Sequence, residues 1–432
     1  MKTFHLQDRS RWTFLLLIAL VAGAFVFAAG KVWLAAHWSA SADPEVWTRA
    51  AWLEPSNAAN WHRLGLYAQW DLEHGDLRAA VRHYQQALRT NPRSDAYWMD
   101  LASAYETLGE IAQAREAFQK ARLNYPISSE VAWRYGNFVL RQGDTSEAFA
   151  EFRRALTSDP PLTASAVSVA WRATRDISRI VTEVLPVRSR HYGIALDYFL
   201  SQQEFEAALT VLHRLLQVGP HPQWPQTLPL VDGLIAQDRV EDAQRVWRQA
   251  LAAAGWPQPE SGDASLICDG GFERGLANGG FGWRQTPVAG ASFGFDTVVS
   301  HSGARSLRIT FAGSTNLDFQ HLVQYVAVQP RQSYRFTAYV RTEAISTDSG
   351  IRFFIYDVRR PAVLEILSEG MAGSQPWSAV EAEFTTGPQT RLVAVVLRRI
   401  PSKKFDNKLA GTAWVDDVAL APVTGETRKD SP

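Results

Sequence analysis

A set of landmark residues recurs every 34 residues in the first half of the chain. Pro92, Pro126 and Pro160 keep this step. The residues in register before these prolines are Gly75, Gly109 and Gly143, then Ala80, Ala114 and Ala148, then Tyr84, Phe118 and Phe152, and finally Ala87, Ala121 and Ala155. A repeat of this length predicts a stack of helical hairpins, each burying its apolar face against the next.

The spacing within one unit indicates helix packing. A glycine permits the turn between two helices, and a proline ends the second helix. The middle unit reads Trp98, Leu101, Tyr105, Gly109, Ala114, Phe118, Ala121 and Pro126. This pattern resembles the tetratricopeptide repeat, with one departure, because Ala102 stands where the family has its first glycine. The resemblance covers about residues 43–255 and implies an all-α solenoid that binds a protein partner.

The repeats differ in how well they keep the pattern. We predict clear repeats over residues 43–160, beginning with a half unit that contains Trp47, Ala50 and Pro55. Residues 161–255 keep only parts of the pattern and are predicted to be degenerate helical repeats. Residues 256–263 contain proline, glycine and serine and are predicted to be a linker.

The resemblance also implies where a partner would bind. In such stacks the first helices of the hairpins line an inner groove. The matching positions here are His62, Met99, Ser103, Glu106, Trp133, Asn137 and Arg141. Members that hold a C-terminal carboxylate use a lysine and asparagine clamp, of which only Asn137 is present, so that role is not expected. The alternative is that Met99 and Trp133 pack the inner face of the superhelix.

The N-terminus carries an apolar segment. Trp12 to Gly30 contains no charged residue, and as a helix this length is close to what crosses about 30 Å of hydrocarbon. We therefore predict a transmembrane signal anchor over residues 12–34. Lys2, Arg9 and Arg11 precede it, which by the positive-inside rule places residues 1–11 in the cytoplasm. The expected location is the inner membrane, single-pass, with the bulk of the chain in the periplasm or outside.

A cleaved signal peptide is the alternative. Val26 with Ala28, or Ala40 with Ala42, offers a small-residue cleavage pattern. We favour the anchor because the apolar run is longer than a usual signal core and apolar residues continue beyond Lys31.

Composition excludes several classes of protein. The formal net charge is zero, which argues against a nucleic-acid partner held by bulk electrostatics. Cys268 is the only cysteine and so excludes an intramolecular disulfide. The sequence contains no nucleophile elbow, metalloprotease helix or phosphate-binding loop. We therefore expect no enzymatic activity and no required cofactor.

The hydrophobic period changes from helical to alternating beyond residue 264. Apolar residues of Ser333 to Arg341 alternate with polar ones, while Leu392 to Leu397 is apolar enough to be buried on both faces. Several such strands separated by turns predict a two-sheet β-sandwich over residues 264–423. Residues 424–432 are predicted to be a disordered tail.

This region resembles carbohydrate-binding modules of the families 4 and 9 type over about residues 265–422. The matching blocks are Leu266–Glu273, Gly282–Trp283, Ser302–Ile309, Gln324–Pro330 and Gly411–Val418. Asp269 and Arg331 depart from the family pattern, where asparagine and glycine are common. The resemblance implies an all-β jelly-roll fold, so the predicted fold class is multidomain: a transmembrane helix, an all-α solenoid and a jelly-roll sandwich.

The resemblance also implies two kinds of site. A structural Ca²⁺ would be held by Glu273 with Asp416 or Asp417, and the alternative is that these carboxylates cap strand ends by hydrogen bonds. Asp416 and Asp417 are adjacent along a strand and are expected on opposite faces. Sugar would stack on aromatic rings outside the core alternation. The candidates are Phe319, Tyr339, Tyr356 and Trp377.

Taken together, these features predict a membrane-anchored, non-enzymatic scaffold of the bacterial cell envelope. Its repeats would bind a protein partner, and its sandwich a glycan or another envelope component, in polysaccharide production or export. One alternative is a structural adaptor whose sandwich does not bind sugar. Another is a secreted glycan-binding protein released by signal cleavage.

Overall fold

The computed structural model describes residues 8–218, 224–253, 255 and 265–423. The chain divides into two compact units, Met1–His191 and Tyr192–Pro432, and each is described by itself. The predicted cytoplasmic tail lies mostly outside the described residues, and the predicted linker and C-terminal tail lie entirely outside them. The predicted fold class is confirmed: an N-terminal apolar helix, an array of helical hairpins and a two-sheet antiparallel sandwich.

The first unit begins with one long apolar helix, α1 (Asp8–Ser39). Its segment Arg11–Ser39 is the single stretch within the described residues that is long and apolar enough to cross a membrane. The last turns of α1 belong to the folded unit, because Ala35 is fully buried and the Ser39 hydroxyl donates a 2.6 Å hydrogen bond to Asn60 Oδ1. The C-terminal end of the apolar helix therefore packs against the first repeat.

Seven helices follow α1 to complete the clear repeats. They are α2 (Pro44–Leu53), α3 (Ala58–Trp70), α4 (Leu77–Thr90), α5 (Asp95–Thr107), α6 (Ile111–Asn124), α7 (Ser129–Arg141) and α8 (Thr145–Ser158). Asp76, Ser94, Ser128 and Asp144 cap helix N-termini through their side chains. Each cap satisfies backbone N–H groups that the helix leaves unpaired.

The repeated residues occupy the core positions that their spacing predicts. The alanines and aromatic residues in register are at most 2% exposed. A Cβ at Gly136 would lie 2.8 Å from the Phe152 ring, and one at Gly65 would lie 2.4 Å from the Tyr84 ring. Glycine is needed at these positions because the two helices of a hairpin approach closely there.

The hairpins become irregular after α8. A 3₁₀ turn (Pro160–Leu162) leads into α9 (Thr163–Thr174), the short α10 (Ile177–Arg179) and a π turn (Ile180–Val184). Four helices then follow: α11 (Ser189–Ser201), which spans the division between the units, α12 (Phe205–Val218), α13 (Trp224–Ala236) and α14 (Val240–Ala253).

The sandwich has ten strands. They are β1 (Arg284–Gln285), β2 (Ala291–Asp296), β3 (Ser306–Ala312), β4 (Phe319–Ala327), β5 (Ser333–Ile345), β6 (Arg352–Asp357), β7 (Glu365–Leu367), β8 (Gly373–Thr385), β9 (Leu392–Arg399) and β10 (Ala410–Pro422). We call the sheet with order β1-β4-β9-β6-β7 sheet I, and the sheet with order β2-β3-β10-β5-β8 sheet II. All pairings are antiparallel.

The core lies between the two sheets. Phe336 of sheet II and Phe353 of sheet I meet there with ring centroids 4.9 Å apart, and both are buried. Phe272 and Trp283 add a second aromatic pair, 5.3 Å apart, outside the strands. β9 is buried on both faces over Leu392 to Leu397, as its continuous apolar run predicts.

The hairpin α13–α14 packs on the sandwich within the second unit. Three carboxylates of the hairpin pair with three arginines of the sandwich: Asp232 with Arg284 at 2.6 Å, Asp238 with Arg359 at 3.2 Å, and Glu241 with Arg391 at 3.2 Å. The hairpin and the sandwich belong to the same compact unit, Tyr192–Pro432.

Candidate functional site

Charged side chains connect the first helices of three successive hairpins. Asp100 on α5 receives a 3.1 Å hydrogen bond from Arg134 on α7, and its other carboxylate oxygen lies 2.8 Å from His62 Nε2 on α3. The sequence predicted His62 at the groove but missed Asp100 and Arg134. Their 34-residue separation is the repeat step and was the signal that could have found them.

A second polar link joins α5 and α7. Glu106 and Arg141, both predicted groove residues, form a two-bond ion pair with distances of 2.8 Å. Ser103 accepts a 3.1 Å hydrogen bond from Gln69, which in turn accepts one from the buried Tyr84. Of the ion pair, the Arg141 side chain is 55% exposed and the Glu106 side chain 22%.

The remaining predicted groove residues serve mainly in packing. Met99 is 1% exposed. The Trp133 ring lies 5.2 Å from that of Phe152, and Asn137 donates to the Trp133 carbonyl. For Met99 and Trp133 the structure agrees with the alternative that they pack the inner face of the helices.

Three carboxylates surround the turn at residues 301–305 of the sandwich. Asp416 accepts from the backbone N–H groups of His301 and Ser302, at 2.8 and 3.2 Å. Asp417 lies 2.6 Å from His301 Nδ1 and accepts from the Ser302 hydroxyl. Glu273 accepts from the Ala304 N–H at 2.8 Å. We call this group the carboxylate clasp.

Asp416 and Asp417 face the same turn, contrary to the expectation that they lie on opposite faces. The reason is a β-bulge in β10 between Asp416 and Ala419, where Asp417 adopts a left-handed φ of 47°. Burial raises the pKa of the Asp416 carboxyl, although its three backbone hydrogen bonds act in the opposite direction.

The clasp does not have the arrangement of a calcium site. Ca²⁺ requires six to eight oxygen ligands pointing at one centre. Each clasp carboxylate instead accepts hydrogen bonds from the turn, and no group of three or more His, Cys, Asp or Glu residues in the described ranges is placed to hold a metal ion. Glu273 and Asp417 accept hydrogen bonds from the turn, which is the kind of contact that the hydrogen-bonding alternative expects.

Two predicted sugar platforms belong to a ring cluster beside the clasp. The His301 ring stacks on Tyr339 with centroids 3.6 Å apart, and Trp377 meets His301 edge-on at 5.6 Å. One face of Tyr339 is therefore covered by His301. Phe319 is fully buried among Phe293, Phe311 and His321, so its ring has no face for a sugar and that prediction is wrong.

Tyr356, the fourth candidate, belongs to a row of rings on the outer face of sheet I. Tyr356 of β6 and Tyr325 of β4 flank Ala394 of β9 in the strand register. Phe354, two residues before Tyr356, lies nearly parallel to it with centroids 5.0 Å apart. We call Tyr325, Phe354 and Tyr356 the aromatic strip. All three are partly exposed, while Ala394 is fully buried beneath them.

The environment of the aromatic strip combines apolar and charged groups. Leu367 of β7 pairs with Phe354 in the register and is 46% exposed. The Arg284 guanidinium lies 4.9 Å from the centre of the Tyr325 ring. Burial, and next the neighbouring Tyr325, raise the pKa of Tyr356. The strip offers flat apolar surface with hydrogen-bonding hydroxyls at its margin, which suits the two faces and the rim of a sugar ring.

The arginines near the aromatic strip differ in whether they form an ion pair. Arg284 is paired with Asp232, and Arg398 is paired with Asp318. Arg352, which pairs with Arg398 in the strand register, has no carboxylate partner within the described residues, and its buried Nε has no hydrogen-bond partner. Sequence reasoning missed Arg352 because alternation alone does not show which charges are paired.

Comparisons with known proteins bear mainly on the first unit. Residues 68–122 and 99–162 match the family model described as a tetratricopeptide repeat. No match is found among curated proteins.

Solved structures similar to parts of the chain are of two kinds. One is "Family 16 Carbohydrate Binding Module-2", with 16% identity, 36% of this chain and 99% of that chain covered, and a TM-score of 0.26. Another is the CBM22-1 xylan-binding domain from Paenibacillus barcinonensis Xyn10C, with 14% identity, 38% and 100% covered, and a TM-score of 0.27. The Arabidopsis OM64 TPR domain has 24% identity, 28% and 97% covered, and a TM-score of 0.25. The segment 68–162 of this chain thus consists of tetratricopeptide repeats.

Proposed function

We propose that this protein is a membrane-anchored, non-enzymatic scaffold whose repeats bind a protein partner and whose sandwich binds a glycan through the aromatic strip. The observation that carries the glycan proposal is the near-parallel pair Phe354 and Tyr356 on the outer face of sheet I. Partly exposed rings above a buried floor resemble neither a core nor an ordinary polar strand face. A cell-envelope setting, in polysaccharide production or export, completes the proposal.

The repeat groove supports the protein-binding part of the proposal. Tetratricopeptide repeats present an extended concave surface, and this one has charged side chains that bridge neighbouring hairpins. Ion pairs such as Glu106 with Arg141 are partly solvated, so exchanging them for a partner's groups costs little free energy. A peptide with both acidic and basic side chains is the partner that this groove would suit.

The membrane anchor is supported by the way α1 ends. Residues Ala35 and Ser39 pack into the first unit. Cleavage after Ala42 would remove them and leave Asn60 and Arg63 without the Ser39 contacts that they make now. Cleavage after Ala28 would leave those contacts intact and would release the chain from the membrane. Retention of α1 keeps both the packing and the tether.

Glycan binding is tested on the full-length protein in detergent micelles. A glycan array finds binders, and isothermal titration then measures the dissociation constant for F354A and Y356A. Burying a ring of this size contributes about 1.5–3 kcal/mol, so each variant should bind about 10- to 100-fold more weakly.

The matched control is F405A, because Phe405 is an exposed aromatic residue of the same sandwich outside the aromatic strip. Its affinity should equal that of the unaltered protein. Absence of binding to every glycan on the array would leave the structural adaptor as the better description. Equal loss in F405A would show that the aromatic strip is not the site.

A further inference from the structure

We propose that the glycan recognised by the aromatic strip is acidic, and that Arg352 binds its carboxylate. The inference rests on the proposed function and adds the chemical class of the ligand. It concerns a uronic acid or another sugar that carries a carboxylate, and the binding residue is one that sequence reasoning did not single out.

Arg352 lies on the same strand face as two rings of the aromatic strip. Side chains at alternate positions of a strand share a face, so Arg352, Phe354 and Tyr356 of β6 point outward together. The residues between them, Phe353 and Ile355, are each 1% exposed and belong to the core. A sugar stacked on Phe354 would therefore have a guanidinium next to it along the strand.

Arg352 forms no ion pair within the described residues, whereas the neighbouring arginines do. Asp232 pairs with Arg284, and Asp318 pairs with Arg398. Arg352 has no such carboxylate in the described part of the chain, and its Nε is buried without a hydrogen-bond partner. A buried donor on a charged group costs free energy until an acceptor arrives. A ligand carboxylate would contact the terminal nitrogens of this guanidinium and supply the counter-charge that Arg352 lacks among the described residues.

The turn after β7 leaves room for this guanidinium. A Cβ at Gly370 would lie 2.4 Å from Arg352 Nη2, so any larger residue there would displace the group. Glu369 is exposed in the same turn and forms no ion pair with Arg352 among the described contacts. The guanidinium is planar and presents paired donors in a fork that matches both oxygens of a carboxylate.

The two ends of the aromatic strip carry opposite charges. Glu365 of β7 pairs in the register with Tyr356, and it is exposed at the end opposite to Arg352. A negative sugar substituent is thus attracted to the Arg352 end and repelled from the Glu365 end. This polarity would fix the orientation of the bound glycan, which rings alone do not do because both faces of a sugar ring can stack.

The experiment compares two forms of one polymer. Full-length protein in detergent micelles is titrated with oligogalacturonides and with the same oligosaccharides after chemical reduction of their carboxyl groups. We expect binding of the acidic form and at least tenfold weaker binding of the reduced form. R352Q should weaken binding of the acidic form by about 10- to 100-fold, because a hydrogen bond to a charged group contributes about 1.5–3 kcal/mol.

The control variant is R335Q on the outer face of sheet II, where Arg335 is exposed and paired with Glu383. It should bind both forms as the unaltered protein does, and circular dichroism should show that both variants are folded. Equal binding of acidic and reduced forms, unaffected by R352Q, would overturn the acidic ligand but leave glycan binding standing. Failure of both forms, together with an empty glycan array, would overturn the proposed function as well.

Discussion

At the scale of single residues, the buried carboxylate of Asp416 is important for the fold of the second unit. It is fully buried and accepts hydrogen bonds from three backbone N–H groups, those of His301, Ser302 and Asp417. The carboxylate clasp therefore holds the turn at residues 301–305 against β10. Asparagine has the same shape as aspartate but only one acceptor oxygen, so it cannot accept all of these backbone hydrogen bonds.

We predict that D416N destabilises the second unit by about 1–3 kcal/mol, because an amide NH₂ replaces one acceptor and faces a donor. Urea unfolding followed by fluorescence measures the change. D318N is the matched control, since Asp318 is a 49% exposed partner of Arg398 and should cost less than about 1 kcal/mol. Equal stability of D416N and the unaltered protein would mean that the clasp does not hold the turn.

The same residues give a prediction about metal. Because the clasp oxygens already accept hydrogen bonds from the turn, we expect the unfolding midpoint to be the same in Ca²⁺ as in EDTA. Thermal unfolding of the full-length protein in both conditions measures it. A higher midpoint in Ca²⁺ that D416N or a Glu273 variant abolishes would instead establish a structural calcium.

The clasp also shows where sequence reasoning ends. The structure brings Glu273, Asp416 and Asp417 to one turn, whereas alternation predicts the two aspartates on opposite faces, because a bulge has no signal in the hydrophobic pattern. The prediction that Phe319 is a surface ring fails because a second shift of register, between Phe319 and Leu322, changes which side of β4 faces the core. Both predictions fail because β10 and β4 depart locally from the regular alternation of inward and outward side chains.

At the scale of elements, the hairpin α13–α14 acts as part of the sandwich. The Trp247 ring fits against the turn at Gly279–Gly282, where a Cβ on Gly280 would lie 2.3 Å from the ring. Gly280 has a φ of 56°, which favours glycine independently. In the sequence, a glycine that makes room for a distant tryptophan looks the same as one that only forms a turn.

We predict that W247A destabilises the second unit by about 3–5 kcal/mol, the usual cost of removing a large buried aromatic side chain. Denaturant unfolding measures the change, and hydrogen exchange should show faster exchange in α14 and in strand β4. W70A is the control, because Trp70 lies in the first unit and is 66% exposed. Exchange that accelerates in α14 alone would show that the hairpin and the sandwich unfold independently.

The repeats illustrate the opposite case, in which sequence was sufficient. The 34-residue step predicted hairpins, and the residues in register are the buried ones, because helix packing is governed by a long period that many residues reinforce. The hydrophobic pattern did not reveal the cross-link between Asp100 and Arg134, because it reports burial, and only the 34-residue separation of the two charges indicates that they could pair. The sequence therefore predicts the packing of helices better than it predicts which charged side chains pair.

At the scale of the whole molecule, the proposed function depends on whether the chain stays attached to a membrane. A tether confines both binding surfaces to a thin layer and raises their effective concentration towards partners held in the same membrane. Release by cleavage would abolish this gain without altering either surface. Retention of α1 is thus the property that distinguishes the scaffold from a secreted glycan-binding protein.

We predict that the mature protein retains α1 and migrates with the full mass of 48.2 kDa. Intact-mass measurement of protein extracted from membranes tests this, and resistance to alkaline carbonate extraction tests integral insertion.

A substitution that introduces charge, L20R, should make the protein extractable, because an arginine at the centre of a membrane helix costs about 2.5–3.5 kcal/mol or more. S39A should leave insertion unchanged while loosening the contact with Asn60. A mature chain that begins at Asp43 would contradict the anchor, and its first repeat would then have to fold without the Ala35 and Ser39 contacts that close it here.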